Sequence, residues 1–311
     1  MMRLKLSTVA VASAMVMAGS AFAQDAETNV SLKGSVRIGL SYTDTGGNAD
    51  ASATLRNWAS RLNLQGDTAI GSGLTAFGRY EFSVDTSSND NGDGALGTRH
   101  AYVGLKGEFG EVLAGQTYHT FYDHVINPVD QPWWGSCNGV VTTCGRTGQG
   151  LKYSTSSGPI SGGATLYFQD EGEDILDGFE IAGSYDAGVV KVGFGIRDFE
   201  EVENDPDLVL GVTVSGKAGE IAYAAALTSQ GAPANGGEDT TGIDIFAALG
   251  NAYIDVGTVD QGNSPFGVTL GYTKDIGPQT LAWFEIQAID PDLDGADTAV
   301  ALRAALKYDW E

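Results

Sequence analysis

The stretch AVALRAALKYDW, residues 299–310, alternates in character from each residue to the next. One face carries the apolar residues Val300, Leu302, Ala304, Leu306, Tyr308 and Trp310. The opposite face carries Arg303, Lys307 and Asp309 among alanines. A period of two residues is that of a β-strand, whose successive side chains point to opposite faces. One such strand suits both a membrane barrel and a soluble β-sandwich.

The same period recurs along the whole chain and predicts sixteen strands. They lie near residues 29–43, 55–66, 74–85, 98–107, 111–117, 149–155, 163–169, 177–186, 189–198, 207–216, 220–229, 241–249, 252–259, 266–275, 279–289 and 297–310. Bacterial outer-membrane barrels use an even number of tilted strands, each with roughly 9–11 residues in the apolar layer. We therefore predict an all-β fold, a transmembrane antiparallel β-barrel of 16 strands.

The connections between these strands alternate in length and charge. The short connections lie at residues 66–73, 106–110, 187–188, 216–219, 250–251 and 275–278. The longer, mostly acidic connections lie at residues 85–97, 170–176, 199–206, 230–240 and 290–296. Outer-membrane barrels have short periplasmic turns and longer outer loops. A soluble β-sandwich has no reason to sort its connections in this way, so the alternation favours the barrel.

The N-terminal residues have the layout of a secretory signal. Arg3 and Lys5 precede a short apolar run, and Ala21-Phe22-Ala23 has the small-x-small pattern of a cleavage site. The apolar run is shorter than the roughly 20 residues that a spanning helix needs. We predict a signal peptide at residues 1–23 and an outer-membrane β-barrel domain at residues 24–311.

The chain is strongly acidic, with a formal net charge of −23. Removal of residues 1–23, which hold two basic and no acidic side chains, would make the charge −25. This charge argues against nucleic acid as a partner, because a phosphate backbone needs a basic surface. It favours divalent cations instead.

Two cysteines, Cys137 and Cys144, are seven residues apart in a stretch rich in Gly and Thr. In an exported protein this spacing predicts a disulfide that closes a small loop. A zinc site is the alternative, but no further cysteine or nearby histidine completes four ligands.

Several stretches of the first half resemble the Gram-negative general diffusion porin family. They are RLNLQG at 61–66, GLTAFGRYEF at 73–82, RHAYVGL at 99–105 and GEVLAGQ at 110–116. The resemblance implies a sixteen-stranded barrel, usually a homotrimer, whose long third loop folds into the lumen. That loop would be residues 117–148, and a segment this long without a strand pattern is usually functional. In the family, acidic loop residues face a basic wall across the constriction.

Carried over to this sequence, the resemblance implies a set of constriction residues: Arg61, Arg79, Glu81, Arg99, Asp123, Asp130, Trp133 and Arg146. Strand parity also places Arg79 and Glu81 inside, and it adds Lys33 and Arg37 to the pore wall. For Arg99 the alternation alone is ambiguous. We expect Asp130 to be the main constriction carboxylate.

The third loop departs from the family at residues 132–136, PWWGS, where family members often have Pro-Glu-Phe-Gly-Gly. Trp133 thus stands in place of a carboxylate, which weakens the expected transverse field. Trp133 and Trp134 either fasten the loop to the inner wall or contact solutes; the sequence leaves both open.

Catalysis has little support in the sequence. Of the three histidines, His119 and His124 flank Asp123, but no serine is tied to either and no nucleophile motif is present. We expect no enzymatic activity and no required cofactor.

Two loops have the Asp/Asn spacing of calcium sites but lack the closing Glu, so weak calcium binding and ordinary turns are both open. Their ligands would be Asp290, Asp292 and Asp294 in one loop and Asn89, Asn91 and Asp93 in the other.

Together these features predict an outer-membrane porin, a water-filled channel for passive diffusion of ions and small hydrophilic solutes. The acidic mouth predicts mild cation selectivity. Outer-membrane lipid and lipopolysaccharide are the expected neighbours. The alternatives are a substrate-specific channel, favoured by Trp133 and Trp134, and an occluded barrel enzyme or receptor.

Overall fold

The computed structural model describes residues 28–46, 50–85, 96–141, 144–168, 176–199, 208–232, 238–260, 262–293 and 297–310. These residues form 17 strand segments in one antiparallel sheet. The segments are β1 (Thr28–Asp44), β2 (Ser52–Asn57), β3 (Arg61–Gly71), β4 (Leu74–Val84), β5 (Leu96–Gly107), β6 (Gly110–Tyr118), β7 (Arg146–Ser157), β8 (Ile160–Tyr167), β9 (Gly178–Asp186), β10 (Val190–Phe199), β11 (Leu208–Ala218), β12 (Ile221–Gln230), β13 (Thr240–Leu249), β14 (Ala252–Asp260), β15 (Phe266–Gly277), β16 (Thr280–Asp290) and β17 (Ala299–Trp310).

The sheet closes on itself through β1. One edge of β1 pairs with β17, in register from Gly34↔Trp310 to Asp44↔Val300. The other edge pairs with β3 along its first half and with β2 along its second half. Since β2 and β3 lie end to end, with a break at 58–60, they make one strand of the barrel. The 17 segments are therefore a closed barrel of sixteen strands, which confirms the predicted fold.

The two faces of the strands differ as the period of two predicts. On β11, Leu208, Leu210 and Val212 are exposed on the outer face. Val209 and Thr213, which alternate with them, are buried on the inner face. An apolar exterior is what lipid requires, and closure satisfies every backbone edge.

No helix in the part of the chain that the structure describes is long and apolar enough to cross a membrane.

The connections alternate in length as the sequence predicts, but several strands extend further. β3 continues to Gly71, so the turn to β4 is two residues and not the predicted 66–73. The third outer loop covers 119–145 and not 117–148, because Thr117 and Tyr118 pair with Thr147 and Arg146 beyond a bulge. We call residues 119–145 the inner loop.

Candidate functional site

The inner loop lies against the inner face of the barrel. It begins with one π-helical turn, Tyr122–Ile126. Phe121, Val125, Ile126 and Val129 are completely buried, in an apolar cluster that includes wall residues of β11 to β13. A loop buried to this degree is held in a single position, because its apolar side chains would otherwise face water.

Glycines on the inner face of β10 and β11 leave room for the loop. A Cβ added to Gly195 would lie 2.8 Å from Phe121 Cδ2. At Gly211 it would lie 2.5 Å from Phe121 Cζ. Since real Cβ atoms do not approach other heavy atoms below 3.0 Å, the depth at which the loop sits depends on these missing side chains.

Four wall carboxylates fasten the loop through hydrogen bonds that it donates. Phe121 N donates to Glu180 Oε2 at 2.9 Å, and Gly139 N donates to Asp244 Oδ2 at 2.8 Å. Asn138 Nδ2 donates to Asp255 Oδ1 at 2.8 Å. The fourth carboxylate, Glu285, accepts from Trp133 N at 2.6 Å and Trp134 N at 3.1 Å, and also from Tyr253 Oη at 2.7 Å.

These four acids, which are at most 1% exposed, were not predicted from the sequence. A signal for them exists in the sequence: each is an isolated acid at the inner parity of an apolar strand. The stretches are FEIAG at 179–183, GIDIF at 242–246, YIDVG at 253–257 and FEIQ at 284–287. A buried carboxylate needs hydrogen-bond donors, and the loop backbone supplies them.

Three of the predicted arginines surround one predicted carboxylate. Glu81 lies on β4 between Arg79, which donates to its Oε2, and Arg99, whose Nε is 2.8 Å from its Oε1. Arg61 Nε lies 4.0 Å from the same Oε1. The arginine side chains stay 15–32% exposed, whereas that of Glu81 is 5% exposed. The cluster therefore presents positive charge to the lumen.

The bulge between β4 and β5 explains why alternation left Arg99 ambiguous. Glu81 pairs with His100 and Phe82 pairs with Thr98, so Arg99 has no partner in the register. An extra residue in one strand re-aims its side chain. Arg99 and His100 consequently both point inward, although they are neighbours in sequence.

Arg146 lies on β7. Its guanidinium is 4.3 Å from the centre of the Tyr118 ring and also donates to the Tyr118 hydroxyl. Its Nε donates to His100 Nε2 at 3.1 Å. Of the wall residues, Arg37 donates to Ser35 Oγ at 3.2 Å, and Lys33 lies on the same inner face of β1.

The two predicted loop acids have partners within the barrel. Asp123 forms an ion pair with Lys152, a wall residue of β7 that was not predicted from the sequence. Asp130 Oδ2 accepts from the Tyr122 hydroxyl at 2.7 Å. Burial, together with the Asp130 charge, raises the pKa of the Tyr122 hydroxyl. The Tyr122 phenol thus stays neutral and donates.

The predicted tryptophans fasten the loop. Trp133 stacks on Trp283 of β16 with ring centres 4.7 Å apart. Trp134 packs against Trp58, in the break between β2 and β3, with ring centres 4.4 Å apart.

Further along the loop, Cys137 and Cys144 are joined by a disulfide, with Cα atoms 6.5 Å apart.

The structure ties a histidine to a serine, which the sequence did not. His124 Nδ1 lies 3.1 Å from Ser184 Oγ, which is 2.8 Å from Ser161 Oγ. Burial lowers the pKa of His124 below its usual value, and the neighbouring Asp123 raises it by a smaller amount. The Asp123 carboxylate, however, is paired with Lys152 and does not orient the imidazole. The absence of enzymatic activity stays a prediction.

The calcium hypothesis also stays a prediction. Asp290 accepts from Asp292 N at 3.0 Å, and Asp292 accepts from Ser264 N at 2.8 Å, so both carboxylates hold turn backbone. Their companion Asp294, and Asn89, Asn91 and Asp93 of the other loop, lie outside the described residues, as does the signal peptide. The described residues contain no group of three or more His, Cys, Asp or Glu that could hold a metal.

Comparison with known proteins identifies the family. Residues 8–292 match the Gram-negative porin family. This chain is a Gram-negative porin. Among curated relatives, the outer membrane porin protein OmpD of Citrobacter koseri is 36% identical over 129 residues, which are 39% of this chain and 34% of that protein. The chain thus spans about a third of that relative's length. The relative's description and the family place this porin in the outer membrane.

Solved structures share the fold. The anion-selective porin from Comamonas acidovorans has a TM-score of 0.75 at 18% identity, covering 91% of this chain and 100% of that one. The trimer form of OmpT from Vibrio cholerae has a TM-score of 0.69 at 14% identity, covering 91% of this chain and 99% of that one.

Proposed function

We propose that this porin is a water-filled channel for passive diffusion of ions and small hydrophilic solutes, with a mild preference for cations. The observation that carries the proposal is that the inner loop is fastened to part of the inner wall while arginines on another part stay accessible. Wall acids of β9 to β16 hold the loop, with further contacts to Lys152 on β7 and Trp58 beside β2, whereas Arg61, Arg79 and Arg99 remain partly exposed. Such an arrangement narrows a barrel without closing it.

The direction of the charge preference depends on two opposing regions. The first region is the constriction, which is basic because Arg61, Arg79 and Arg99 share the single carboxylate of Glu81. The chain as a whole is acidic, at −23, and most of the long connections are rich in Asp and Glu. Acidic connections at the entrance of a channel raise the local cation concentration before ions reach the constriction. We propose that the negative charge of the connections has a larger effect on ion selectivity than the positive charge of the constriction, which leaves a mild net preference for cations.

The experiment is the reversal potential of the purified protein in a planar bilayer under a potassium chloride gradient. We expect discrete conductance steps and a potential on the cation side. Conductance steps with a reversal potential on the anion side would support the channel but overturn the proposed cation preference. An absence of steps from correctly folded protein would overturn the channel and favour an occluded barrel with another role.

We also propose that the porin assembles as a homotrimer among outer-membrane lipid and lipopolysaccharide. Support comes from the trimeric form of the similar OmpT barrel and from the apolar outer face of the strands. Mass measurement of the protein in detergent by light scattering tests the assembly. A mass of three chains is expected, and a monomer at all concentrations would contradict it.

A further inference from the structure

Four of the five tryptophans of the chain meet at one place on the inner wall. Trp58 packs edge-on against Trp283 at 5.7 Å, and the loop residues Trp133 and Trp134 pack on these two wall residues. Trp58 and Trp283 are 3% and 0% exposed, whereas Trp134 is 38% exposed. Part of Trp134 therefore stays accessible to solvent.

Positive charge surrounds this cluster. The guanidinium carbons of Arg56 and Arg303 lie 5.0 Å and 5.3 Å from the centre of the Trp134 ring. Arg37 and Lys307 lie 5.2 Å and 5.5 Å from the Trp133 ring. Cations at these distances are attracted to the negative face of an indole.

The two arginines beside Trp134 have spare hydrogen-bonding capacity. Among the described residues, neither Arg56 nor Arg303 forms an ion pair with a carboxylate. Arg303 donates one hydrogen bond, from Nη1 to Gln287 Oε1 at 2.9 Å. The nearby carboxylate of Glu285 is turned to the loop backbone and is 1% exposed. A guanidinium has five N–H donors, and Arg56 is exposed, so its donors are open to a ligand, whereas Nε of Arg303 is buried.

The combination selects one class of solute. The guanidiniums of Arg56 and Arg303 lie over the Trp134 ring, and their planes, like the exposed part of the indole, can stack with a planar ring. Guanidinium forks bind carboxylates with two parallel hydrogen bonds. The groups beside Trp134 are guanidinium donors, whereas the nearby carboxylate of Asp309 is paired with Lys307 at 2.7 Å. We propose that Trp134, Arg56 and Arg303 bind aromatic carboxylates inside the channel.

This inference rests on the proposed channel and adds a binding site for one class of anion to a pore whose overall preference is for cations. Trp58 packs against Trp134 and is itself held by Trp283, on which Trp133 stacks, so these three rings act as the scaffold. Glu285 fixes the backbone of Trp134. A channel site has to release its solute, so we expect weak binding, with a Kd of about 1 mM.

The experiment measures binding without conductance, so that failure of the site and failure of the channel are distinguishable. Benzoate is titrated into the full chain folded in detergent, and Kd is obtained by saturation-transfer NMR. Benzyl alcohol, which lacks the carboxylate, and acetate, which lacks the ring, are the matched ligands. We expect both to bind at least about tenfold more weakly than benzoate, since each loses about 1.4 kcal/mol or more.

Variants locate the site. Trp134→Leu and Arg56→Gln should each weaken benzoate binding about tenfold, while Trp134→Phe, which keeps an aromatic face, should remain within about threefold of the wild type. Far-UV circular dichroism checks that each variant is folded. An unchanged Kd in either Trp134→Leu or Arg56→Gln, or equal binding of benzyl alcohol and benzoate, would overturn the proposal.

Discussion

The two sides of the inner wall use charged side chains in opposite ways. On β9 to β16, the acids Glu180, Asp244, Asp255 and Glu285 are at most 1% exposed and accept hydrogen bonds from the inner loop. On β3 to β5, the arginines remain 15–32% exposed around one carboxylate. We call these the acidic side and the basic side.

The difference shows that a charge count does not describe the field inside the barrel. Burial makes a carboxylate costly unless donors replace water, and once they do, that carboxylate holds structure and faces no solute. The acidic side therefore acts mainly as an attachment for the loop. The basic side keeps its charge available in the lumen, even though the whole chain carries −23.

The largest effect should follow from Glu285→Ala on the acidic side. The substitution leaves Trp133 N, Trp134 N and the Tyr253 hydroxyl without their acceptor. At about 1–3 kcal/mol for each orphaned donor, the loop should lose about 3 kcal/mol or more of local stability. Hydrogen exchange of the Trp133 and Trp134 amides measures this loss. Glu220→Ala, in an exposed turn, is the control, and equal exchange in the two variants would refute the attachment role.

A second variant distinguishes the contribution of the wall carboxylates to loop stability from that of the disulfide. Replacing Cys137 and Cys144 by serine opens an eight-residue ring, which should cost about 2 kcal/mol through the entropy of the freed chain. We expect faster exchange of the Gly139 amide, with the Phe121 amide, held by Glu180, unchanged. Faster exchange at both amides would mean that the loop opens as one unit.

On the basic side, the expected effect is on selectivity. The double variant Arg61→Gln, Arg146→Gln removes two positive charges from the lumen and should raise the potassium-to-chloride permeability ratio about two- to fivefold, from interactions of about 1 kcal/mol in water. Glu81→Gln should move the reversal potential in the opposite direction. A shift towards anions in the double variant would contradict the assignment of these arginines to the pore.

The smallest effect should come from Asp123→Asn. This loop acid pairs with Lys152, but its side chain is 39% exposed, so solvent screens the pair. Lys152 also keeps its hydrogen bond to Tyr118 O at 2.9 Å. Thermal unfolding should report a loss of about 0.5 kcal/mol. A loss of stability as large as that expected for Glu285→Ala would contradict the conclusion that buried acids stabilise the loop more than exposed acids do.

The sequence predicted the parts of the molecule that depend on local repetition. A strand's alternation reports which face meets lipid, so the sixteen strands and the inward Lys33, Arg37 and Arg79 could be predicted from the pattern, whereas Arg61 was placed by the family resemblance. Arg99 could not be placed by alternation, because the bulge opposite Glu81 and Phe82 breaks the period.

The attachment of the inner loop was not predictable in the same way. Its contacts join residues more than 100 positions apart, such as Trp133 with Glu285 and Gly139 with Asp244. No local pattern encodes such pairs. The isolated acids of the apolar strands are visible in the sequence, but their partners are backbone amides, which every residue has.

The glycine at position 211 has a consequence for how this porin could vary. Phe121 rests where a side chain at 211 would stand, 2.5 Å from its Cβ. Alanine or valine there would displace the loop towards the lumen in small steps, with every pore-lining residue retained. The bore of the channel is thus adjustable from behind the loop, by a residue that no passing solute touches.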